Sequence, residues 1–239
     1  MDNLTIESLV SGIAGWNVQP LQAFLDDRSS DDLHLIPHNG SPPRNPTLRT
    51  LIIASGNPHK VAEIEAMLGP VDLEVLRQPA DLDVEETGST YLQNARLKAS
   101  AAASRTGCWA LADDSGLEVD ALGGSPGIYT ARFAATDADK LSRLIEAMDG
   151  VPYRSACFRS AMVLCSPDGT CDEEAEGFCW GELLSKPAYA GGGIESLFWV
   201  REAGCAYGQL NQPQLSKLGS RGKAARALAP GLRLRMGLT

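Results

Sequence analysis

The spacing of apolar residues predicts alternating strands and helices from about Leu48 onward. "LRTLIIAS" is a continuous apolar run of the kind that forms a buried strand, and the apolar positions of "HKVAEIEAML" repeat with helical spacing. "VDLEVL" alternates like a strand, and "STYLQNARLKASAAAS" is rich in alanine, the strongest helix former. These segments predict two strand–helix units in succession.

The pattern changes in the second half of the chain. "CWALA" predicts a short buried strand that ends at Asp113 and Asp114, and Asp137 is the predicted cap of a helix that ends at Gly150. "ACFRSAMVLC" and "EEAEGFCWGELL" flank the turn sequence "SPDGT", which predicts a long antiparallel hairpin. With a helical tail after Gly219, the chain is predicted to be an α/β protein whose sheet is mixed.

The sequence divides into three sections. Residues 1–36 are predicted to form one or two short amphipathic helices, and residues 37–47, which contain several prolines, are predicted to be a linker. Residues 48–239 are predicted to form the main domain. Whether the N-terminal section docks on that domain, binds a partner or is a disordered extension is left open by its composition.

The balance of charge restricts the possible partners. The formal net charge is -9 and the pI is near 4.9, whereas proteins that bind nucleic-acid polymers usually present a basic surface. We therefore expect no nucleic-acid polymer as a partner. An anionic ligand would have to be held by a few local groups or by a metal ion.

Cysteine usage and the first residues indicate a compartment. The six cysteines form no CxxC pair and have no neighbouring histidine, so we expect them to be reduced and mostly structural. "MDNLTIESLV" lacks the basic and apolar regions of a signal peptide, and no segment approaches the length of a membrane span. These features predict a cytoplasmic protein without a membrane partner.

"SGNPHK", from Ser55 to Lys60, joins a predicted strand to a predicted helix. Free backbone N–H groups and the helix dipole favour an anion at such a junction, and Lys60 adds a positive charge. The alternative is an ordinary turn with an exposed lysine.

"VEETGSTYLQNARLKA" places Glu85 and Glu86 before a tight turn and then Asn94 and Lys98 four residues apart on one helix face. The carboxylate, amide and ammonium groups could all face one site. The alternative is a capping arrangement followed by a solvated helix face.

"ALADDSGLEVDALGGSPGIYTARF" carries two adjacent carboxylates after a buried strand, a position where open α/β sheets commonly bind ligands. Neighbouring strand residues point to opposite sides, and Asp114, next to Ser115, is our first choice for a metal ligand. With Glu85 or Glu86 it would form a hard oxygen site suited to Mg²⁺. The alternative is that Asp113 and Asp114 only cap a turn.

Together and in this order, the three blocks resemble the inosine triphosphate pyrophosphatase family, whose members hydrolyse non-canonical purine nucleoside triphosphates to monophosphate and pyrophosphate. "SGNPHKVAEI", "EETGSTYLQNARLKA" and "ADDSGLEVDALGGSPGIYTARF" carry the resemblance, which extends from Leu51 to about Leu228. It implies a homodimer and an elongated, twisted mixed sheet flanked by helices, with two lobes and a central active-site cleft.

The resemblance also implies roles for individual residues. Asp114 would bind Mg²⁺ with Glu86 and would accept the proton of the attacking water, and Ser115 would contact the substrate. Lys98 and Lys217 are further candidates for neutralising the leaving pyrophosphate. The triphosphate would be held by four residues: Ser55, Gly56, Asn57 and Lys60.

Two later blocks depart from the family pattern. Members usually have Gly-Phe-Gly-Tyr-Asp-Pro where this chain has "GGGIES", so Gly192 stands at the position of the aromatic that stacks on the base, while Glu195 keeps the acidic charge. Stacking of a base on an aromatic is typically worth about 1–3 kcal/mol. The family's Ser-His-Arg is Gly-Ser-Arg here, so Ser220 replaces the histidine and Arg221 remains available for the base.

These observations predict a Mg²⁺-dependent nucleoside triphosphate pyrophosphatase acting on substrates such as ITP, dITP and XTP. One alternative keeps the reaction and changes the nucleotide, because the base-binding blocks are altered. Another is a nucleotide-binding regulator without turnover, although a pure binder would not need the catalytic carboxylates.

Overall fold

The structure, a computed structural model, describes residues 49–69 and 72–238, and of residue 59 only the backbone. The predicted N-terminal section 1–36 and linker 37–47 lie outside the described residues, so both stay predictions. The helices and strands below all belong to the main domain.

Seven strands form one sheet in the order β2-β1-β3-β4-β5-β6-β7. The strands are β1 Arg49–Ile53, β2 Leu73–Arg77, β3 Trp109–Val119, β4 Ser155–Cys165, β5 Cys171–Leu183, β6 Phe198–Val200 and β7 Cys205–Ala206. β1 runs parallel to both of its neighbours, β2 and β3, whereas every neighbouring pair from β3 through β7 is antiparallel. The expected mixed sheet is therefore confirmed.

In the part of the chain that the structure describes, five α-helices accompany this sheet. They are α1 Pro58–Leu68, α2 Tyr91–Thr106, α3 Asp137–Ala147, α4 Gln212–Leu218 and α5 Ser220–Met236. The side chain of Thr90 caps the start of α2 by accepting a hydrogen bond from the Gln93 N–H, and Gly107 ends the helix in the left-handed region with φ 64°. The expected helices after the first and second strands are confirmed.

Alternation along the central strands separates two cores. Leu51, Ile53 and Leu111 face one side, where they pack with residues of α1 and α5. Ile52 and Ala110 face the other side, where the alanines of α2 allow that helix to lie close to the sheet. A third cluster lies around α3 and the far ends of β3 and β5.

The structure differs from the sequence-based expectation for two elements. β3 does not end at Asp113 and Asp114 but continues to Val119, because β4 pairs with it along its full length. The cap of α3 is Thr136, whose hydroxyl accepts from the Asp139 N–H, so Asp137 is the first helical residue and not the cap. That helix ends at Ala147, before Gly150.

The expectation of six reduced cysteines is wrong for one pair. Cys165 and Cys171 are six residues apart in sequence, but the hairpin register sets them opposite each other across the turn, and they form a disulfide. The other four cysteines are free thiols. No helix within residues 49–69 and 72–238 combines the length and the apolar character needed to cross a membrane.

Candidate functional site

Three neighbouring strands and one helix start define a cavity of about 810 Å³. β1 ends at Ile53, which pairs with Arg77 on β2 and with Leu111 on β3, so the loop before α1 lies beside the middle of β3. Ligand sites of open α/β sheets commonly lie at this kind of strand end. Six of the predicted site residues line the cavity: Ser55, Gly56, Asn57, Lys60, Glu86 and Lys98.

Asp113 lies on the α1 and α5 side of the sheet and is 2% exposed. Its Oδ2 accepts hydrogen bonds from Arg221 Nε at 3.0 Å and from Lys60 Nζ and Ser115 Oγ, both at 3.5 Å. Burial alone would raise the pKa of Asp113, but the cations Lys60 and Arg221 outweigh it and hold that pKa well below its usual range. Asp113 therefore stays ionised at the cavity wall.

Asp114 points to the opposite side of the sheet, toward α2. Its Oδ2 accepts from Asn94 Nδ2 and its Oδ1 from Lys98 Nζ, each at 3.2 Å. Burial, together with the nearby carboxylate of Glu86, raises the pKa of Asp114, although Lys98 opposes this. The two adjacent aspartates thus have different environments, as the alternation of strand side chains predicts.

The turn before α2 brings a second carboxylate to Asp114. The side chain of Asn94 accepts a hydrogen bond from the Gly88 N–H at 2.8 Å, which fixes this turn against the helix. Glu86 is thereby placed 2.8 Å from Lys98 Nζ. Glu85 is exposed and does not line the cavity.

The donor set fits a small hard cation. Lys98 Nζ bridges Glu86 and Asp114, so the two carboxylates already face one positive charge. Mg²⁺ commonly takes one or two carboxylates and completes its shell with water and substrate phosphates. Among residues 49–69 and 72–238 no group of three or more histidine, cysteine or acidic side chains could hold a metal on its own.

Arg221, whose side chain is only 13% exposed, links α5 to α1 and β3. Besides Asp113, its guanidinium donates to Glu63 at 2.5 Å and to Ser115 Oγ at 3.0 Å. The sequence predicts that Arg221 contacts the base, and it does not single out Glu63, which resembles any other polar residue of an amphipathic helix. The position of Glu63 three residues after Lys60 could have indicated that it faces the same site, because residues i and i+3 share a helix face.

Ser220, the residue before Arg221, is buried. Its hydroxyl is 2.8 Å from that of Ser160, so the serine at the family's histidine position bonds to β4. Lys217 is exposed and lines a different pocket, with Glu202 and Gln214. The structure therefore does not bring Lys217 to the cavity described above.

The loop "GGGIESLF" is packed around Tyr189. A Cβ on Gly192 would lie 2.5 Å from the Tyr189 ring, and one on Gly208 would lie 1.9 Å from its hydroxyl. Glu195 turns back onto its own loop and accepts a hydrogen bond from the Gly193 N–H at 3.1 Å. The space left by the missing side chain at Gly192 is thus occupied by Tyr189.

Comparisons with known proteins agree with the earlier resemblance. The chain is 44% identical over 186 residues to a dITP/XTP pyrophosphatase of Parasynechococcus marenigrum, covering 77% of this chain and 95% of that protein. A dITP/XTP pyrophosphatase of a Nostoc species is 44% identical over 184 residues, covering 76% and 93%.

Solved structures give the same result. A HAM1 protein from Coxiella burnetii matches with a TM-score of 0.71 and 31% identity, covering 78% of this chain and 100% of that chain. A nucleoside-triphosphatase, or dITP/XTP pyrophosphatase, from Mycobacterium abscessus matches with a TM-score of 0.61 and 33% identity, covering 77% and 98%. The model of the Ham1 family matches residues 51–231, and the chain belongs to the Ham1 family.

Proposed function

We propose that this protein hydrolyses non-canonical purine nucleoside triphosphates such as ITP, dITP and XTP to the monophosphate and pyrophosphate. The observation that carries the proposal is the pairing of Glu86 and Asp114 around Lys98. Glu86 and Lys98 line the cavity together with the loop Ser55–Asn57, and Asp114 lies directly behind Lys98. The relatives named dITP/XTP pyrophosphatases support the substrate class, because each of them matches over more than nine tenths of its own length.

The loop before α1 and its lysine would hold the phosphates. Backbone N–H groups at the start of a helix attract anions, and Lys60 lines the same cavity. Lys98 stays protonated, since the neighbouring carboxylates outweigh its burial and raise its pKa. These groups would neutralise the charge that develops on the leaving pyrophosphate.

Asp114 would act as the general base. Its raised pKa brings it closer to neutral pH, where a carboxylate accepts a proton more readily. Water would attack the α-phosphorus and lose a proton to Asp114, and the bond from that phosphorus to the bridging oxygen would break. One water is consumed, and nucleoside monophosphate and pyrophosphate are released.

Glu86 and Asp114 would hold Mg²⁺, and Glu85, being exposed, is the weaker choice. The ion, when bound, supplies Lewis-acid stabilisation of phosphate oxygens. Activity should therefore depend on added Mg²⁺ and disappear with a chelator. A homodimer in the cytoplasm is part of the same proposal, and sedimentation of the purified chain would test the dimer.

The base pocket favours one second candidate, the same reaction on a different nucleotide. Tyr189 occupies the space at Gly192, so the surface offered to a base differs from the family pattern. Pyrophosphate release from a panel of triphosphates with Mg²⁺ separates the two candidates. A strong preference for ITP, dITP and XTP supports the first, and a preference for another nucleotide supports the second.

A regulator without turnover is the remaining alternative, and Asp114→Asn tests it. Loss of pyrophosphate release in this variant, but not in the matched control Asp149→Asn, would exclude it. Asp149 is exposed and does not line the cavity. Tight nucleotide binding with no turnover by the unaltered protein would instead exclude the hydrolase.

A further inference from the structure

Three cationic side chains line the cavity, and Arg77 differs from the other two. Lys60 pairs with Asp113 at 3.5 Å, and Lys98 pairs with Glu86 at 2.8 Å. Arg77 forms no ion pair with any carboxylate in the described part of the chain. Its guanidinium donates one long hydrogen bond, from Nη2 to the Gly56 carbonyl at 3.4 Å.

The sheet topology explains why Arg77 reaches this loop. Arg77 is the last residue of the edge strand β2 and is in register with Ile53, the last residue of β1. The two strands are parallel, and the Gln78 N–H donates to the Ile53 carbonyl at 3.1 Å, so both chains leave the sheet side by side. The side chain of Arg77 is exposed.

The charges at the cavity wall show what Arg77 could contribute. Lys60, Arg77 and Lys98 face three lining carboxylates, those of Asp83, Glu86 and Asp113, so the formal charges cancel, three against three. A nucleoside triphosphate adds several negative charges. Lys60 and Lys98 already share theirs with carboxylates, whereas Arg77 can turn to an anion by giving up one long bond to a carbonyl.

Resting on the proposed function, we propose that Arg77 binds the terminal phosphates of the nucleoside triphosphate, the part released as pyrophosphate. Arg77 contacts the loop at Gly56 and has no bond to Asp114 or Lys98, so it serves the end of the triphosphate farther from the attacked phosphorus. A guanidinium binds phosphate with two parallel N–H donors, a geometry that lysine cannot reproduce.

Binding of inorganic pyrophosphate, measured by calorimetry on the full chain with Mg²⁺, tests this inference without turnover. Arg77→Gln should weaken binding about tenfold, the loss expected for one charged hydrogen-bonding partner, and Arg77→Lys should fall in between. The matched control is Arg143→Gln. Arg143 is also exposed and donates to a backbone carbonyl, that of Phe133, but lies outside the cavity lining.

Turnover supplies a second readout. The ratio of kcat/KM for ITP to kcat/KM for IDP should fall about tenfold in Arg77→Gln, because IDP lacks the γ-phosphate, one of the two phosphates assigned to Arg77. Equal pyrophosphate affinity in Arg77→Gln and the unaltered protein would overturn the inference, as would no measurable pyrophosphate binding by the unaltered protein. Pyrophosphate binding lost in Arg77→Gln, in a protein without ITP turnover, would support this inference and reject the proposed hydrolysis.

Discussion

Replacing Arg221 by leucine is a sharp test of the packing behind the cavity. The guanidinium bonds to Asp113, Glu63 and Ser115, and the side chains of Arg221 and Asp113 are only 13% and 1% exposed. Leucine has nearly the volume of the arginine stem but no donor. Of its two cationic partners, Asp113 would keep only the more distant Lys60, and Glu63 would lose its ion pair.

Breaking a buried ion pair by removing one partner costs about 3–5 kcal/mol, because the remaining charge stays buried. Two carboxylates lose their partner here, while Lys60 still compensates part of the charge on Asp113, so we expect Arg221→Leu to lower the free energy of unfolding by about 3–5 kcal/mol. The more exposed pair of Arg235 with Glu173, whose side chains are 45% and 26% exposed, provides the control. Arg235→Leu should cost at most about 1 kcal/mol.

Urea denaturation followed by circular dichroism measures the free energy of unfolding of both variants. The pH dependence of that free energy adds a second check. The pKa of Asp113 is lowered in the folded protein from its ordinary value of 3.8. The stability that Asp113 contributes is therefore present above about pH 4 and is lost as the pH falls toward the folded-state pKa. The loss in free energy of unfolding caused by Arg221→Leu should be complete at pH 7 and should become smaller only below pH 4. A deficit under about 1 kcal/mol at pH 7 would refute the reasoning.

Three further predictions follow from other contacts. Asp114→Asn should lower kcat by about 10²–10⁴-fold, the usual worth of a general base, with an unchanged melting temperature within about 2 °C; retained turnover would contradict its role. Lys217→Gln should change kcat/KM for ITP by less than about threefold, because Lys217 lies outside the cavity. A tenfold loss would show that Lys217 does take part in substrate binding or catalysis. Gly192→Ala should destabilise the fold by about 1–3 kcal/mol, because the added Cβ would displace Tyr189. Gly56→Ala should not destabilise it, because a Cβ there would meet no atom within 4 Å. Equal stabilities of the two variants would argue against the packing around Tyr189.

Local patterns predicted most of the elements and singled out the first three blocks as candidate site residues. The strand of "LRTLIIAS", the helix that follows it and the long hairpin each depend on residues close in sequence, so periodicity and turn residues were sufficient to predict them. Asn94 and Lys98 lie four residues apart on one helix, and both indeed reach Asp114. Contacts within one helix face or one turn could be predicted for the same reason.

Features that depend on distant pairing could not be predicted in this way. Two aspartates after "CWALA" look like the end of a strand, and only the pairing with β4 explains why β3 continues. The disulfide between Cys165 and Cys171 follows from hairpin register, and the position of Arg77 follows from β2 being the neighbour of β1. Glu63 was missed because its partner, Arg221, is 158 residues away.

The most direct test of the proposed reaction is the identity and labelling of its products. ITP is incubated with the protein and Mg²⁺ in ¹⁸O-labelled water, and the products are separated and weighed by mass spectrometry. Attack of water on the α-phosphorus predicts inosine monophosphate that carries the label and pyrophosphate that does not. Label in pyrophosphate, release of inosine diphosphate with phosphate, or no product from ITP, dITP or XTP would contradict the account.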